Sequence, residues 1–587
     1  MAERKKQSLL TGAGVLAIAT VLVKIIGALY KIPLVNLITN EGYGYFQGAY
    51  AIYNPLYAIS MAGLPIAVSK LVSQNVEAGR MRDARAIFRV SRKLFFIVGG
   101  VGTLLLMLLA VPYSHMVDAP MNYVSVLVVA PCILFCCMMS SFRGYYEGLN
   151  NMTPTGVSQV IEAAIKLVVG LAATTVFFKH QVHKYQVGNV DGLYHAFGLD
   201  VHSSEEFLAA MYPYAAAVAI SGVTLGSMVG LVYLFIHAKR SGLGFTREEL
   251  VNSPRPRSDE KLRSQIIRVA APIALTSLIL NLSNLIDDFT IRTRLAHAVE
   301  VGMTTIKNLY GASIAAAGTL DENIPNYIYG THGSVLNLRN LIPTITLTLG
   351  ISAIPVLSAA WQRKDRKEIK VTIESALRIC MLVALPAGFG MAALAEPILL
   401  LLYPKEAHAA PIAAPLLVVY GLGMFLFSTT SPITNMLQAV GRMDVPVKTI
   451  AIGSVIKIVM NFILIGNPNI NIHGAPVSTV VMYAVMLAIN LTTLLRVTKV
   501  RISFISIFVK PFIAAAACGL SAFGVFRLLA NIIPQHGKIS TIFAILVGGG
   551  IYVIVLFAIK GIAKDDVEML PKGEKIAKVL AKFRLLG

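Results

Sequence analysis

Ser8–Asn36 reads SLLTGAGVLAIATVLVKIIGALYKIPLVN, an apolar run whose only charged residues are Lys24 and Lys31. A helix needs about 20 predominantly apolar residues to cross a bilayer, and this run is longer. Lys24 and Lys31 are seven positions apart, close to two helical turns, so both ammonium groups leave the helix on one face. A lysine held in hydrocarbon costs about 3 kcal/mol or more. That cost is tolerable where the face looks into a watery cavity or meets an anion. The run is too long for a removable signal peptide and has no small-x-small cleavage site, so it is expected to stay as a helix.

Similar runs recur to the end of the chain. With 56% hydrophobic and 14% charged residues among 587, the composition excludes an ordinary soluble protein. It predicts an all-α polytopic membrane protein, because helices satisfy their own backbone in lipid. About fourteen transmembrane helices are expected, near residues 9–36, 45–71, 94–113, 121–142, 155–178, 211–237, 266–291, 337–360, 375–402, 412–436, 446–465, 474–495, 507–530 and 541–560. The second is studded with Gly, Pro and Tyr, which suggests a bent helix lining a cavity.

The net charge of +21 would suggest nucleic acid in a soluble chain. Here the basic residues crowd into alternate loops: Lys70–Lys93, Lys239–Arg268, Arg363–Lys370, Arg496–Lys510 and the tail from Lys560. That is the positive-inside bias of cytoplasmic loops; it puts both termini in the cytoplasm and predicts no nucleic-acid partner. Cys132, Cys136, Cys137, Cys380 and Cys518 all fall in apolar runs without metal-ligand spacing, so they read as small hydrophobes and no metal is expected.

The sequence repeats weakly. MTPTGVSQVIEAAIKLVV from Met152 echoes MDVPVKTIAIGSVIKIVM from Met443, with Lys166 falling on Lys457 and Glu162 on Gly453. GLPIAVSKLV from Gly63 echoes AIPVLSAAWQ from Ala353 at nearly the same offset. Two pseudo-two-fold-related six-helix lobes plus a C-terminal helix pair follow. The expected domains are an N-terminal lobe at 1–240, a cytoplasmic linker at 241–265, a second lobe at 266–497, helix pair 13–14 at 498–563 and a basic cytoplasmic tail at 564–587.

Ionisable residues inside spans are candidates for function. Lys24 lies too near mid-span to snorkel easily, whereas Lys31 either reaches an interface or faces the cavity. In NLSNLIDDFTIRTRL, Asn281–Leu295, Asp288 and Arg292 are four apart and can pair along the helix, and Asp287 and Arg294 share a neighbouring face. Either this is an interfacial salt-bridge set, or one of Asp287 and Asp288 takes up a coupling H+ or Na+. Glu162 and Lys166, again four apart, read best as a structural pair; Lys457 lacks that partner, and Arg339 stands at a cavity mouth or in a loop. Over the spans, cations outnumber anions, so a shared cavity favours an anionic solute and disfavours a cationic drug.

The hairpin VKIIGALYKIPLVNLITNEGYGYFQGAYAIYN, Val23–Asn54, resembles the multidrug/oligosaccharidyl-lipid/polysaccharide exporter superfamily, above all its Gram-positive branch of MurJ-type lipid II flippases and stage V sporulation protein B. The IDDFT stretch at Ile286–Thr290 and LIPTITLTLGISAIPVLS at Leu341–Ser358 extend the resemblance over nearly the whole chain. It implies a flippase that moves an undecaprenyl-pyrophosphate-linked saccharide, foremost the peptidoglycan precursor lipid II, to the outer leaflet of a bacterial plasma membrane by alternating access. Lys24, three residues before Gly27, fills the place of a cavity-lining arginine on the family's first helix; a second arginine falls at Tyr30, with Lys31 beside it. An aspartate early in the second helix has no counterpart, Tyr45 or Gln47 being nearest, and an arginine on the eighth helix matches Arg339. The substrate-binding candidates are therefore Lys24, Lys31, Lys166, Lys457, Arg292 and Arg339. Cell-wall synthesis machinery is the implied protein partner. Other cargoes in view are a polysaccharide-repeat or spore-cortex lipid, or a small molecule or drug exchanged for a cation. A membrane enzyme would need clustered carboxylates or metal ligands at the membrane face, and the histidines instead scatter through external loops, so neither catalysis nor a cofactor is expected.

Overall fold

A computed structural model describes residues 9–188 and 194–563; the basic tail at 564–587 lies outside them. Nearly everything described is helical, joined by short turns, with one two-stranded sheet. The chain forms two compact units: Met1–Ala296 with Gly318–Gly330, and His297–Ala317 with Thr331–Gly587.

The first unit opens with α1 (Leu9–Ala58), which would be about 75 Å long if straight, against about 30 Å of hydrocarbon. It is not one rod. Thr39 holds φ 62°, ψ 175°, a left-handed backbone that a branched residue adopts at a cost of about 1–3 kcal/mol, and the helix breaks there. Pro55 then deletes a backbone donor, and a wide π turn follows at Ile59–Gly63 before α2 (Leu64–Glu77). The Gly, Pro and Tyr-rich run is thus helical with one π turn in it. Next come α3 (Met81–Met116), the short α4 (Tyr123–Val129), α5 (Pro131–Gly148) and α6 (Thr153–Gly188). Strands β1 (Tyr194–Ala196) and β2 (Leu199–Val201) pair antiparallel, Tyr194 opposite Val201, ahead of α7 (Ser204–Ser241). Both α6 and α7 outrun a bilayer, and their ends carry a cap in which Ala196, Val201, Phe207 and Met211 are buried against Phe178 and Tyr185.

The expected linker is partly ordered. A capping box of Thr246 and Glu249 starts α8 (Arg247–Asn252). Arg82 Nε donates to the Leu250 carbonyl at 2.6 Å, and buried Asp83 accepts from the Arg257 backbone at 2.7 Å and from Arg80 at 2.5 Å, fastening this stretch to the start of α3. Helix α9 (Asp259–Ala317) then continues well past the expected end at 291 and breaks only at Gly302.

In the second unit, α10 (Ile324–Arg339) and α11 (Leu341–Arg363) meet at Asn340, so the helical stretch expected from 337 begins earlier, its first turns reading as loop because Asn, Gly and His interrupt the apolar pattern. Then follow α12 (Arg366–Ala393), capped by Asp365, and α13 (Ala395–Leu402), α14 (Ala410–Leu422), α15 (Met424–Ala439), α16 (Asp444–Ile465) and α17 (Gly474–Thr498). Helices α6 and α16 each start at the residue after the matched methionine, Met152 or Met443, so the repeat seen in the letters is a repeat of helix starts. The closing pair is α18 (Lys510–Ile532) and α19 (Gly537–Ala558). Gly548 brings them close: a Cβ there would stand 2.9 Å from that of Ala522. Among the described residues, ten helices are long and apolar enough to span a membrane, eleven if the bent pair α14–α15 is one span; the first of them, Ile18–Glu77, holds most of both of the first two expected spans. The protein is a multi-pass membrane protein.

Candidate functional site: a cationic cavity lined by tyrosines

The first unit encloses a cavity of about 280 Å³ between α1, α5, α6 and α7. Glycines set its back wall. A Cβ on Gly222 of α7 would stand 2.6 Å from the Gly170 Cα of α6, and one on Gly170 would stand 2.8 Å from the Tyr30 ring. Helices α6 and α7 therefore pack backbone to backbone, and α6 turns Gln159, Glu162, Ala163 and Lys166 inward. Tyr50, Tyr53, Asn54 and Tyr57 of α1, beyond the break at Thr39, line the space with them.

Three ionisable side chains line the space: Arg143, Glu162 and Lys166. Lys166 Nζ donates to the Tyr50 hydroxyl at 2.7 Å and lies 5.1 Å and 5.0 Å from the ring centres of Tyr30 and Tyr50. The ammonium is held by the Tyr50 hydroxyl and by the nearby Tyr30 ring without being neutralised. Arg143 has only 2% of its side chain exposed; its Nη2 donates to Glu162 Oε2 at 3.0 Å and its Nε to Ser158 at 3.0 Å. Ser227 donates to the other Glu162 oxygen at 3.5 Å and contacts Cys132 at 2.9 Å. One carboxylate thus faces two cations, and the lining carries a net positive charge.

This corrects one expectation. Glu162 pairs with Arg143 of α5 rather than with Lys166 one turn along its own helix, leaving the Lys166 ammonium on tyrosines. Arg143 was missed because it follows directly on the expected end of the fourth span at 142 and reads as a loop arginine; the signal was available in RGYYEG, which continues the helix to Gly148.

The other candidates are placed as follows. At about 100° per residue, Thr20, Val23, Gly27 and Tyr30 share the cavity face of α1, with Lys24 and Lys31 at its edge. Ile18, Leu22, Ile25 and Leu29 form an exposed apolar stripe on the opposite side. Lys24 is exposed and Lys31 half-buried. Arg292 is buried: Nη2 donates to the Gly44 carbonyl at 2.5 Å and the guanidinium stacks 3.8 Å from the Tyr329 ring centre. The Tyr329 hydroxyl donates to Asp288 at 2.5 Å, so a tyrosine joins Asp288 and Arg292, which the sequence reading paired directly. Asp287 is half-buried on the same helix. In the second unit Arg339 lies over Tyr420 and Phe427, 5.2 Å and 5.1 Å from the ring centres, and buried His332 bonds the Tyr420 hydroxyl at 2.8 Å. Half-buried Lys457 lies within electrostatic reach of His332, as does Arg339. The structure therefore gathers Lys166 with Lys31 and Lys24 in one unit and Arg339 with Lys457 in the other. Among the described residues no group of three or more His, Cys, Asp or Glu could hold a metal ion.

Residues 9–187 match the family described as Polysaccharide biosynthesis protein, and residues 329–463 match MatE. Two proteins of Bacillus subtilis (strain 168), the uncharacterized membrane protein YabM and stage V sporulation protein B, are each 22% identical, over 98% and 96% of this chain and 98% of each of theirs. Lipid II flippase MurJ of the same organism is 25% identical over 78% of this chain and 77% of its own. Among solved structures, Lipid II flippase MurJ in an inward closed conformation superposes with a TM-score of 0.61 at 13% identity, covering 93% of this chain and 98% of that one. In sequence the chain is similar over most of its length to stage V sporulation protein B and MurJ, and its fold is that of the multidrug/oligosaccharidyl-lipid/polysaccharide exporter superfamily.

Proposed function

We infer that the protein is a flippase for a lipid-linked anionic saccharide, carried on undecaprenyl pyrophosphate, and that lipid II is its foremost cargo. It moves this lipid from the inner to the outer leaflet of a bacterial plasma membrane by alternating access, with both termini in the cytoplasm. The observation that carries the reading is the cavity in which Lys166 and Arg143 face a single carboxylate. A diphosphate head that enters it exchanges water for the Lys166 ammonium in a low-dielectric surround, where such bonds are strong, and Arg143 joins it if the head displaces Glu162. A cationic solute meets repulsion in the same place. The relationship to proteins named lipid II flippase supports the choice of cargo.

Lys24 and Lys31, at the edge of the cavity face, are proposed to receive the head first, with Arg339 and Lys457 as a corresponding pair in the second unit. Arg292 is engaged with Gly44 and Tyr329 in this conformation, so it meets substrate only after those contacts open. Asp287 or Asp288 is proposed to take a proton or cation that resets the cycle. The membrane potential is a sufficient drive, since one charge crossing 100 mV is worth about 2.3 kcal/mol. No catalytic step or cofactor enters this scheme, and cell-wall synthesis enzymes are the proposed neighbours.

The test is reconstitution of the purified protein into liposomes with fluorescent lipid II, scored for leaflet exchange alongside Lys24→Ala and Lys166→Ala. The reading expects protein-dependent exchange that both substitutions depress. Exchange no faster than in protein-free liposomes sinks it.

A further inference from the structure

The ionic part of the cavity leaves a second feature unused. Along α1, Phe46, Tyr50, Tyr53 and Tyr57 follow at steps of four, three and four, which puts them on one helix face. Their rings form a chain, with centres 4.9 Å, 5.8 Å and 5.2 Å apart in turn. A row like this usually packs a core. Here its last three members line the cavity together with Asn54, and Gln159 faces them from α6. Two of the rings are fixed by their hydroxyls: Tyr50 accepts from Lys166, and Tyr53 contacts Cys132 Sγ at 3.1 Å. Tyr57 and Asn54 bond no described residue in this way, and the Asn54 side chain is exposed.

Resting on the function proposed above, we propose that Tyr57, Tyr53 and Asn54 form a saccharide subsite, distinct from the anion subsite at Lys166 and Arg143, which receives the first sugar ring attached to the diphosphate. A pyranose offers a flat face of C–H groups, which suits the face of a tyrosine, and a rim of hydroxyls, which suits amides and carboxylates. The lining supplies both. Asn54 and Gln159 offer donors and acceptors at the rim, and Glu162 accepts at the far wall. A wholly apolar guest leaves those amides without partners, at a cost in binding. A flat cationic guest, which tyrosines would otherwise attract, is opposed by the ammonium held at the Tyr50 hydroxyl. The cavity is partly open, so the ring next to the diphosphate can sit inside while further sugars stay outside. The subsite therefore reads the sugar nearest the phosphates and makes the carrier prefer a loaded lipid to a bare one.

The experiment compares leaflet exchange of two fluorescent probes in liposomes holding the full chain: a polyprenyl pyrophosphate bearing one N-acetylhexosamine, and the same lipid without sugar. Wild type is expected to move the glycosylated probe about tenfold faster. Tyr57→Leu is expected to bring the ratio of the two rates close to one; Tyr57→Phe, which keeps the ring, retains most of the preference. Asn54→Ala, at an exposed side chain, gives a second reading should Tyr57→Leu fold poorly, with a severalfold loss of preference. Equal rates for the two probes in wild type overturn the subsite, as does a preference that survives both Tyr57→Leu and Asn54→Ala; either result leaves the flippase reading standing. If wild type moves neither probe, the flippase reading fails and the subsite with it.

Discussion

Lys166 donates to the Tyr50 hydroxyl at 2.7 Å, from a helix whose registered partner in the repeat carries Lys457. A charge-assisted bond to an anion at this ammonium is worth about 1.5–3 kcal/mol, or about ten- to a hundredfold in affinity. Lys166→Met is therefore expected to slow lipid exchange at least tenfold at limiting substrate. Tyr50→Phe removes the acceptor that aims the ammonium but not its charge, and is expected to cost only severalfold. Dose–response curves of exchange against lipid concentration separate the two.

Arg143 and Glu162 form the ion pair of the cavity wall, with 2% and 19% of their side chains exposed. Removing one partner of such a pair strands the other, at a cost of about 3–5 kcal/mol when fully buried and less here, because Glu162 keeps some access to water. Arg143→Met should lower the melting temperature in detergent by several degrees. Adding Glu162→Gln to it should recover part of that loss. Strictly additive losses in thermal unfolding would show that the two residues do not act as a pair.

Gly330 of α10 packs so closely on the Asn40 carbonyl of α1 that no side chain fits between them, and a Cβ on Gly44 would stand 2.5 Å from the Asn326 carbonyl. Gly330→Leu should thus destabilise the conformation described here by about 1–3 kcal/mol through overpacking. The expected readout is a lowered melting temperature together with faster maleimide labelling of a cysteine introduced at Asn54. Unchanged labelling would mean that the α1–α10 approach does not control access to the cavity.

Asp83, 1% exposed, holds Arg257 and Arg80, so this carboxylate is one of the ties between the start of α3 and the stretch between α7 and α9, beside the bond from Arg82 to Leu250. Asp83→Ala removes the shared acceptor of the Arg257 backbone and the Arg80 side chain and should open that stretch severalfold. Limited trypsin digestion checks this: cleavage after Arg247 and Arg257 should speed up by that factor while the membrane helices stay intact.

The sequence carried the fold class because length and apolarity alone decide whether a segment can enter a bilayer. It also carried Lys166, since a lysine in such a segment stands out against its neighbours. What it did not carry was pairing across helices. Glu162 has Lys166 at ideal helical spacing, yet it turns to Arg143, because Gly222 and Gly226 let α7 press α6 toward α5, and the lysine finds tyrosines instead. Helix ends failed for a related reason. The turns of α9 past 291 and of α10 before 337 carry His, Asn, Lys and Gly, yet both stretches are helical. Tyr310 illustrates how tertiary contacts support one of them, its hydroxyl donating to Asn471 at 2.7 Å. Only the packed structure supplies such partners.

The central claim is that buried cations in an apolar lobe receive a diphosphate. The most direct measurement is calorimetric binding of a short-chain prenyl pyrophosphate to the purified protein, set against the matching prenol and repeated with Lys166→Met. The account predicts binding that requires the diphosphate and weakens at least tenfold in Lys166→Met. Equal affinity for the prenol, or undiminished diphosphate affinity in Lys166→Met, would contradict it.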